Sequence, residues 1–170
     1  MQLYDLDGDG KLSPEEQKGC PGIAENVKHY DKDDDGVVSR EELQARIEKW
    51  MDEGTGLMSY SVGVKYKGRP LIGAEVELHP VEFLQAMLKK GRGTTNERGK
   101  ADVSVSKEDL PETHKSRRMM PPGLYTVSIT HPQANVSSCF NTETQLGCEV
   151  SVEAGNPAFP IWFQVSGKKK

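Results

Sequence analysis

The sequence predicts an α+β, multi-domain chain: a small α-helical part over residues 1–53, an antiparallel β-sandwich over 58–166, and a basic tail at 167–170. Three observations predict it. Carboxylates crowd into the first third of the chain in two matching runs. The stretch Glu53-Gly54-Thr55-Gly56 then reads as a linker. Beyond it, apolar residues fall into short alternating runs, as half-buried strands require. A length of 170 residues suits one moderate domain or two small ones. No run approaches the ~20 apolar residues of a spanning helix, so no membrane insertion is expected. The 22 Lys+Arg against 26 Asp+Glu leave a net charge of −4, which argues against nucleic acid as the main partner.

The first acidic run reads Asp5-Leu6-Asp7-Gly8-Asp9-Gly10-Lys11-Leu12-Ser13-Pro14-Glu15-Glu16. It places carboxylates at loop positions 1, 3, 5 and 12, glycine at 6 and an apolar residue at 8. The second, Asp31-Lys32-Asp33-Asp34-Asp35-Gly36-Val37-Val38-Ser39-Arg40-Glu41-Glu42, starts 26 residues later and repeats those types at the same places. In a tightly curled loop alternate residues point inward, so Asp5, Asp7 and Asp9, or Asp31, Asp33 and Asp35, converge on one point. Gly10 permits the sharp turn that a side chain would obstruct. In the EF-hand calcium loop, which both runs resemble, position 7 supplies a backbone carbonyl, so Lys11 and Val37 are acceptable there. The resemblance further implies that Ser13 and Ser39 act directly or through a bridging water and that Glu16 and Glu42 close the shell from the first turn of the exit helix. Without a cation, four crowded carboxylates repel.

Both runs resemble the EF-hand calcium loop at every diagnostic position. That resemblance implies two bound Ca2+ ions, a hard cation that takes six to eight oxygens at about 2.3–2.6 Å. Two such ions would bring the formal charge to about neutral. Leu12 and Val38 are expected to meet across the pair as a short β-bridge. Gly19-Cys20-Pro21-Gly22 must interrupt any continuous helix between the loops. A short exit helix is expected near Pro14–Lys18 and an entering helix near Ile23–Tyr30. Arg40–Asp52 follows, with Leu43, Ile47, Trp50 and Met51 at helical spacing as core of the pair, a groove presented to a protein partner being the alternative. Only Met1–Tyr4 precedes the first loop, so its entering helix is truncated. No basic-then-apolar leader opens the chain, and the sequence is read as a fragment, with its true N-terminus and any export signal expected upstream.

In the remaining two thirds, Ser59–Lys67 alternates with Tyr60, Val62, Val64 and Tyr66 on one face. Ala74–His79, Ala101–Val105, Leu124–Thr130, Cys148–Val152 and Ile161–Val165 complete six or seven expected strands. Glu82–Lys90 carries Phe83, Leu84, Met87 and Leu88 at helical spacing and predicts a short helix. Ser106–Met120 reads as a long, mobile surface loop. Short strands at these intervals predict an antiparallel sandwich.

The turn motifs Lys67-Gly68-Arg69-Pro70-Leu71-Ile72-Gly73-Ala74-Glu75-Val76, Gly93-Thr94-Thr95-Asn96-Glu97-Arg98-Gly99-Lys100-Ala101 and Pro122-Gly123-Leu124-Tyr125-Thr126-Val127 resemble carboxypeptidase-regulatory-like domains. These belong with the transthyretin-like, immunoglobulin-like sandwiches of bacterial envelope and secreted proteins. The resemblance implies a secreted, periplasmic or cell-surface setting and an accessory, non-catalytic role. One transthyretin-like hydrolase of purine degradation ends in Tyr-Arg-Gly-Ser, a tetrapeptide this chain lacks. No Gly-x-Ser-x-Gly elbow occurs, and His29, His79, His114 and His131 are scattered without ligand spacing, so no enzyme is expected.

Cys139 and Cys148 flank a polar turn; a bridge is expected if the chain is exported, against two separate buried thiols. Cys20 is left odd. Lys115–Met120, Lys89-Lys90-Gly91-Arg92 and the terminal lysines read first as solvated, with an anionic or partner contact as the alternative. Besides calcium, the partner expected is a protein or another domain of the parent chain. A dockerin-like use of the pair is less well matched, since dockerin loops usually end in Asp where Glu16 and Glu42 stand here.

Overall fold

Each acidic loop leads into a helix that its own serine caps. Ser13 Oγ accepts from the Glu16 amide while the Glu16 carboxylate accepts from the Ser13 amide, a reciprocal capping box with Pro14 in the first helical turn. Ser39 and Glu42 repeat the pattern. The computed structural model describes residues 1, 3–52, 56–153 and 160–167, and its architecture is α+β. The expected linker residues 53–55 and tail residues 168–170 lie outside the described residues.

The helical part comprises β1 (Lys11–Leu12), α1 (Pro14–Gln17), α2 (Pro21–Ala24), α3 (Val27–Tyr30), β2 (Val38–Ser39) and α4 (Arg40–Asp52). The expected entering helix is two short pieces: α2 opens at Pro21, and Asn26 leaves helical geometry at φ −125° and ψ 22° before α3. Leu43 and Trp50 of α4 are buried as expected, Met51 is exposed, and the third buried position of that stripe is Arg46.

Eight strands follow among the described residues: β3 (Tyr60–Tyr66), β4 (Arg69–Pro70), β5 (Glu75–Pro80), β6 (Gly91–Thr94), β7 (Lys100–Val103), β8 (Gly123–Thr130), β9 (Gly147–Val150) and β10 (Ile161–Val165). One sheet runs β10-β3-β4 with β7 also on β3; the other runs β6-β5-β8-β9. Alternate residues of both sheets, Val62 and Val64 against Leu78, Val127 and Ile129, meet in one core. The pairing is antiparallel except that β10 lies parallel to β3, with Phe163 beside Val64. The expected helix at 82–90 is only a 3-10 turn, Glu82–Leu84. Leu84 turns inward while Met87 stays exposed, so the helical spacing there was not a buried stripe. The segment 106–120 is a surface segment with two 3-10 turns, anchored by buried Leu110 and Met120; Met120 pairs with Met58.

The helical part has its own core of Leu12, Ile23, Tyr30, Val38, Leu43 and Trp50, completed by Val81, Leu84 and Leu124 from the β-part. The two backbones come close where α2 meets β9. A Cβ on Gly147 would stand 2.2 Å from the Gly22 amide nitrogen, so only glycine fits. Beside this contact Glu149 is fully buried. Its carboxylate accepts from Tyr30 Oη at 2.7 Å and Trp50 Nε1 at 3.4 Å, and forms an ion pair with Arg46. Arg46 also holds Glu153 at 2.5 Å, and Lys49 pairs with the same carboxylate.

Two outcomes are expected from this interface. Gly147→Ala should destabilise the chain by about 1–3 kcal/mol, as overpacking does, with Trp50 emission reporting separation of α2 from β9 during denaturation. Lys49 first, and then Arg46, holds the Glu153 carboxyl at about 2, below its ordinary 4.5. The stability this carboxylate contributes is therefore present above pH 4.5 and lost as pH falls toward 2. Acid titrations of Glu153→Gln should show a shallower fall of stability in that window than the native chain.

Candidate metal centre

In the first loop the carboxylates of Asp5, Asp7 and Asp9 bring one oxygen each within 4.8 Å of one another. Loop amides fix their directions: Gly10 N–H donates to Asp5 at 3.1 Å, Asp9 N–H to Asp7 at 3.2 Å, and Lys11 N–H to Asp9 at 2.8 Å. The second loop repeats this. Asp31, Asp33 and Asp35 converge within the same limit, with Gly36 N–H on Asp31 at 2.9 Å and Val37 N–H on Asp35 at 2.9 Å. The turn at position 6 needs φ of +85° at Gly10 and +86° at Gly36, a conformation glycine adopts without strain. Position 4 is also left-handed: Gly8 occupies it in the first loop and Asp34, at φ +58°, in the second.

Glu16 and Glu42 reach back from their helices into these loops. Glu16 accepts from Leu6 N–H at 2.6 Å and Ser13 Oγ at 2.7 Å; Glu42 accepts from Lys32 N–H at 2.7 Å and Ser39 Oγ at 2.7 Å. The Ser13 hydroxyl, with the Ser13 and Leu6 amides, holds the Glu16 carboxyl down at about 2. For Glu42, burial pushes upward, and the Lys32 and Ser39 amides with the Ser39 hydroxyl outweigh it, leaving the group below the ordinary range. Both are thus presented as anions. Lys11 and Val37 stand at position 7, and Ser13 and Ser39 at position 9.

Asp5 Oδ1 is buried and, among the described residues, has no hydrogen-bond partner. A buried carboxylate oxygen without a donor is costly, and this one belongs to the converging triad. The donor set is all oxygen and strongly anionic, which suits a hard divalent cation. Among the described residues, then, the first loop carries an unsatisfied acceptor that such a cation would satisfy.

The loops are joined as well as matched. β1 and β2 pair antiparallel, Leu12 opposite Val38 and Lys11 opposite Ser39, as expected from position 8. Gln17, buried immediately after Glu16, donates from Nε2 to Leu12 O at 2.9 Å and to Gly36 O at 3.2 Å, one carbonyl in each loop. The sequence offered no sign of this role beyond a polar residue on the inner face of α1. Lys11 Nζ lies 3.5 Å from Asp35 of the other loop.

The EF-hand family model, described as EF hand, matches residues 1–16 and 28–47. These stretches are similar to the EF hand. No curated protein and no solved structure matches the chain. The EF-hand likeness and the two acidic clusters together suggest calcium binding.

The remaining sequence candidates lie elsewhere. The expected Cys139–Cys148 bridge is absent: both are free thiols. Cys148 faces the β-core, where burial pushes its thiol up to about 12, whereas Cys139 sits in the 3-10 turn Ser138–Phe140 with its sulfur on Ser137 Oγ. Cys20 caps α2 in the helical core, and burial pushes its thiol up to about 11. His131 accepts from the Gln133 and Ala134 amides and donates to Ile72 O, a turn-forming role. His79 lies 3.2 Å from Glu77, and His29 3.9 Å from Glu149.

If each loop takes a calcium ion, Asp5→Asn and Asp31→Asn should each weaken one binding event by on the order of tenfold or more, since ligand charge sets affinity. Calorimetry should resolve a lost or weakened site in each variant and leave the other measurable.

Proposed function

We propose that the chain is a non-enzymatic calcium-binding module of an exported or cell-envelope bacterial protein, in which two ions fasten the helical pair onto an immunoglobulin-like, transthyretin-like β-domain. The observation that carries this reading is the doubled loop: two converging Asp triads, each backed by a Glu held as an anion, with Asp5 Oδ1 left without a donor. Asp5, Asp7, Asp9, the Lys11 carbonyl, Ser13 and Glu16 would hold one ion. Asp31, Asp33, Asp35, the Val37 carbonyl, Ser39 and Glu42 would hold the other. Bound calcium supplies the positive charge that offsets carboxylate repulsion in each loop.

The chain's own residues link those loops to the β-part. Tyr30, which donates to Glu149, directly precedes Asp31; Arg46, which pairs with Glu149, lies one helical turn beyond Glu42. The second loop is therefore bracketed by two donors fixed on one β9 carboxylate. Any change in the spread of that loop works against both contacts. The β-part supports the finer fold reading through two sheets closed over one core, with turn motifs at their ends.

A second reading, a calcium-dependent surface for a protein partner, draws on exposed Met51 and Met87, which flank a cleft with Ile47, Leu84, Leu88 and Pro122. Trp50 is buried and bonded to Glu149, which favours the fastening role.

Calorimetry should count two ions. Calcium at ~100 times its dissociation constant should stabilise the chain by about 2.7 kcal/mol; unchanged melting after chelation would overturn the reading. Glu149→Gln should cost about 3 kcal/mol, because Arg46 loses its buried counter-charge. A calcium-dependent rise in hydrophobic dye binding would favour the partner surface instead.

A further inference from the structure

Basic residues far apart in sequence meet on one side of the β-part. Lys89, Lys90 and Arg92 run into β6; Arg117 and Arg118 close the segment before β8; Lys107 comes from the 3-10 turn after β7. The six line one cleft of about 470 Å³, within the range of small-ligand sites. Asp109 is the one carboxylate in its lining. The chain as a whole carries a net −4, so this concentration of cations runs against the average charge.

The fold builds the cleft deliberately in two respects. Arg92 and Ser104 exchange backbone hydrogen bonds at 2.8 and 3.0 Å, which draws the β6 edge against the chain leaving β7. Gly93 permits this approach: a Cβ there would stand 2.7 Å from the Asp102 carbonyl oxygen. Two guanidinium groups are then partly fixed. Arg92 Nε holds Glu77 at 2.5 Å, and Arg118 Nη1 donates to the Asp102 carbonyl at 3.1 Å. Each keeps further N–H donors, and guanidinium forks match oxyanions geometrically. Among the described residues, Lys89 and Arg117 have no ion-pair partner. Cations focused in a concave site raise the local potential for an anionic ligand.

We propose that this cleft binds a compact ligand bearing two or more phosphate or sulfate groups. Glu77, Asp102, Glu108 and Asp109 stand around the cations, and those carboxylates disfavour a long polyanion or a flat anionic membrane. The proposal is independent of the calcium reading, since the cleft shares no residue with either acidic loop.

The test is an amide NMR titration of the calcium-loaded chain with fructose 1,6-bisphosphate and, separately, with sucrose octasulfate. Saturable shifts at Arg92, at residues 104–107 and at Arg117–Arg118, weakening with added salt, are expected with at least one probe; repeating the titration with fructose 1,6-disulfate, matched in group number, separates phosphate from sulfate ligands. The exposed pair K89Q/R117Q should lose at least about tenfold in affinity with unchanged melting and unchanged calcium binding. No saturable binding of either probe, equal affinity in the double variant, shifts confined to the terminal lysines, or binding only to phosphatidylserine vesicles would each overturn the proposal.

Discussion

Glu149 puts a negative charge in β9 with no access to water, and among the described residues Tyr30, Arg46 and Trp50 of the helical part donate to its carboxylate. Burying an ion costs several kcal/mol unless its partner and hydrogen bonds are in place. Within the β-part Tyr60 donates to the Glu149 backbone carbonyl, while the carboxylate itself is held from the helical part. The helical part is equally incomplete. Fifty-odd residues rarely close a sufficient core by themselves, and this one finishes its core with Val81, Leu84 and Leu124. The close approach of Gly22 and Gly147 lets both deficits be met at one seam. Burial and hydrogen bonding to Glu149 together push the Tyr30 hydroxyl pKa upward, so it remains a donor at any ordinary pH.

The acidic loops depend on that seam unequally. The second has Tyr30 at its entrance and Arg46 just past its exit, both committed to Glu149. The first is tied through Gln17 and the β1–β2 pair to the second loop, and Tyr4 meets Phe83 of the β-part edge-on at 6.2 Å. A cation in either loop therefore acts on a framework whose reference point is a sheet carboxylate. Glu149 is the point where the residues bracketing the second loop meet the β-part.

Particular residues show why some of this was legible in sequence and some was not. Coordination chemistry constrains both residue type and spacing, so Asp5, Asp7, Asp9 and Glu16 announce their geometry; their second copy removes the ambiguity of one acidic loop. Tyr60–Tyr66 and Gly123–Thr130 were legible because one face of each is apolar at period two. Gly91–Thr94 was not, because its pairing rests on glycines that admit Met120 and Asp102, with no apolar alternation to show it. Glu82–Lys90 misled because helical spacing of apolar residues does not require burial, and Met87 faces solvent. Arg46 and Glu149 were invisible for a deeper reason: a buried ion pair across 103 residues leaves no local pattern on either side. The parallel placement of β10 on β3 is likewise set by the core the two strands share.

If Glu149 couples ion binding in the loops to order in the β-part, calcium must change both. Hydrogen exchange followed by NMR, on the calcium-loaded and chelator-treated chain, tests it most directly. Calcium is expected to slow exchange at the amides of Cys148, Glu149 and Val150 as well as in the loops, and Glu149→Gln to abolish the slowing in β9 while the loops still respond. Protection gained only within residues 3–52, with β9 unchanged in the native chain, would contradict it.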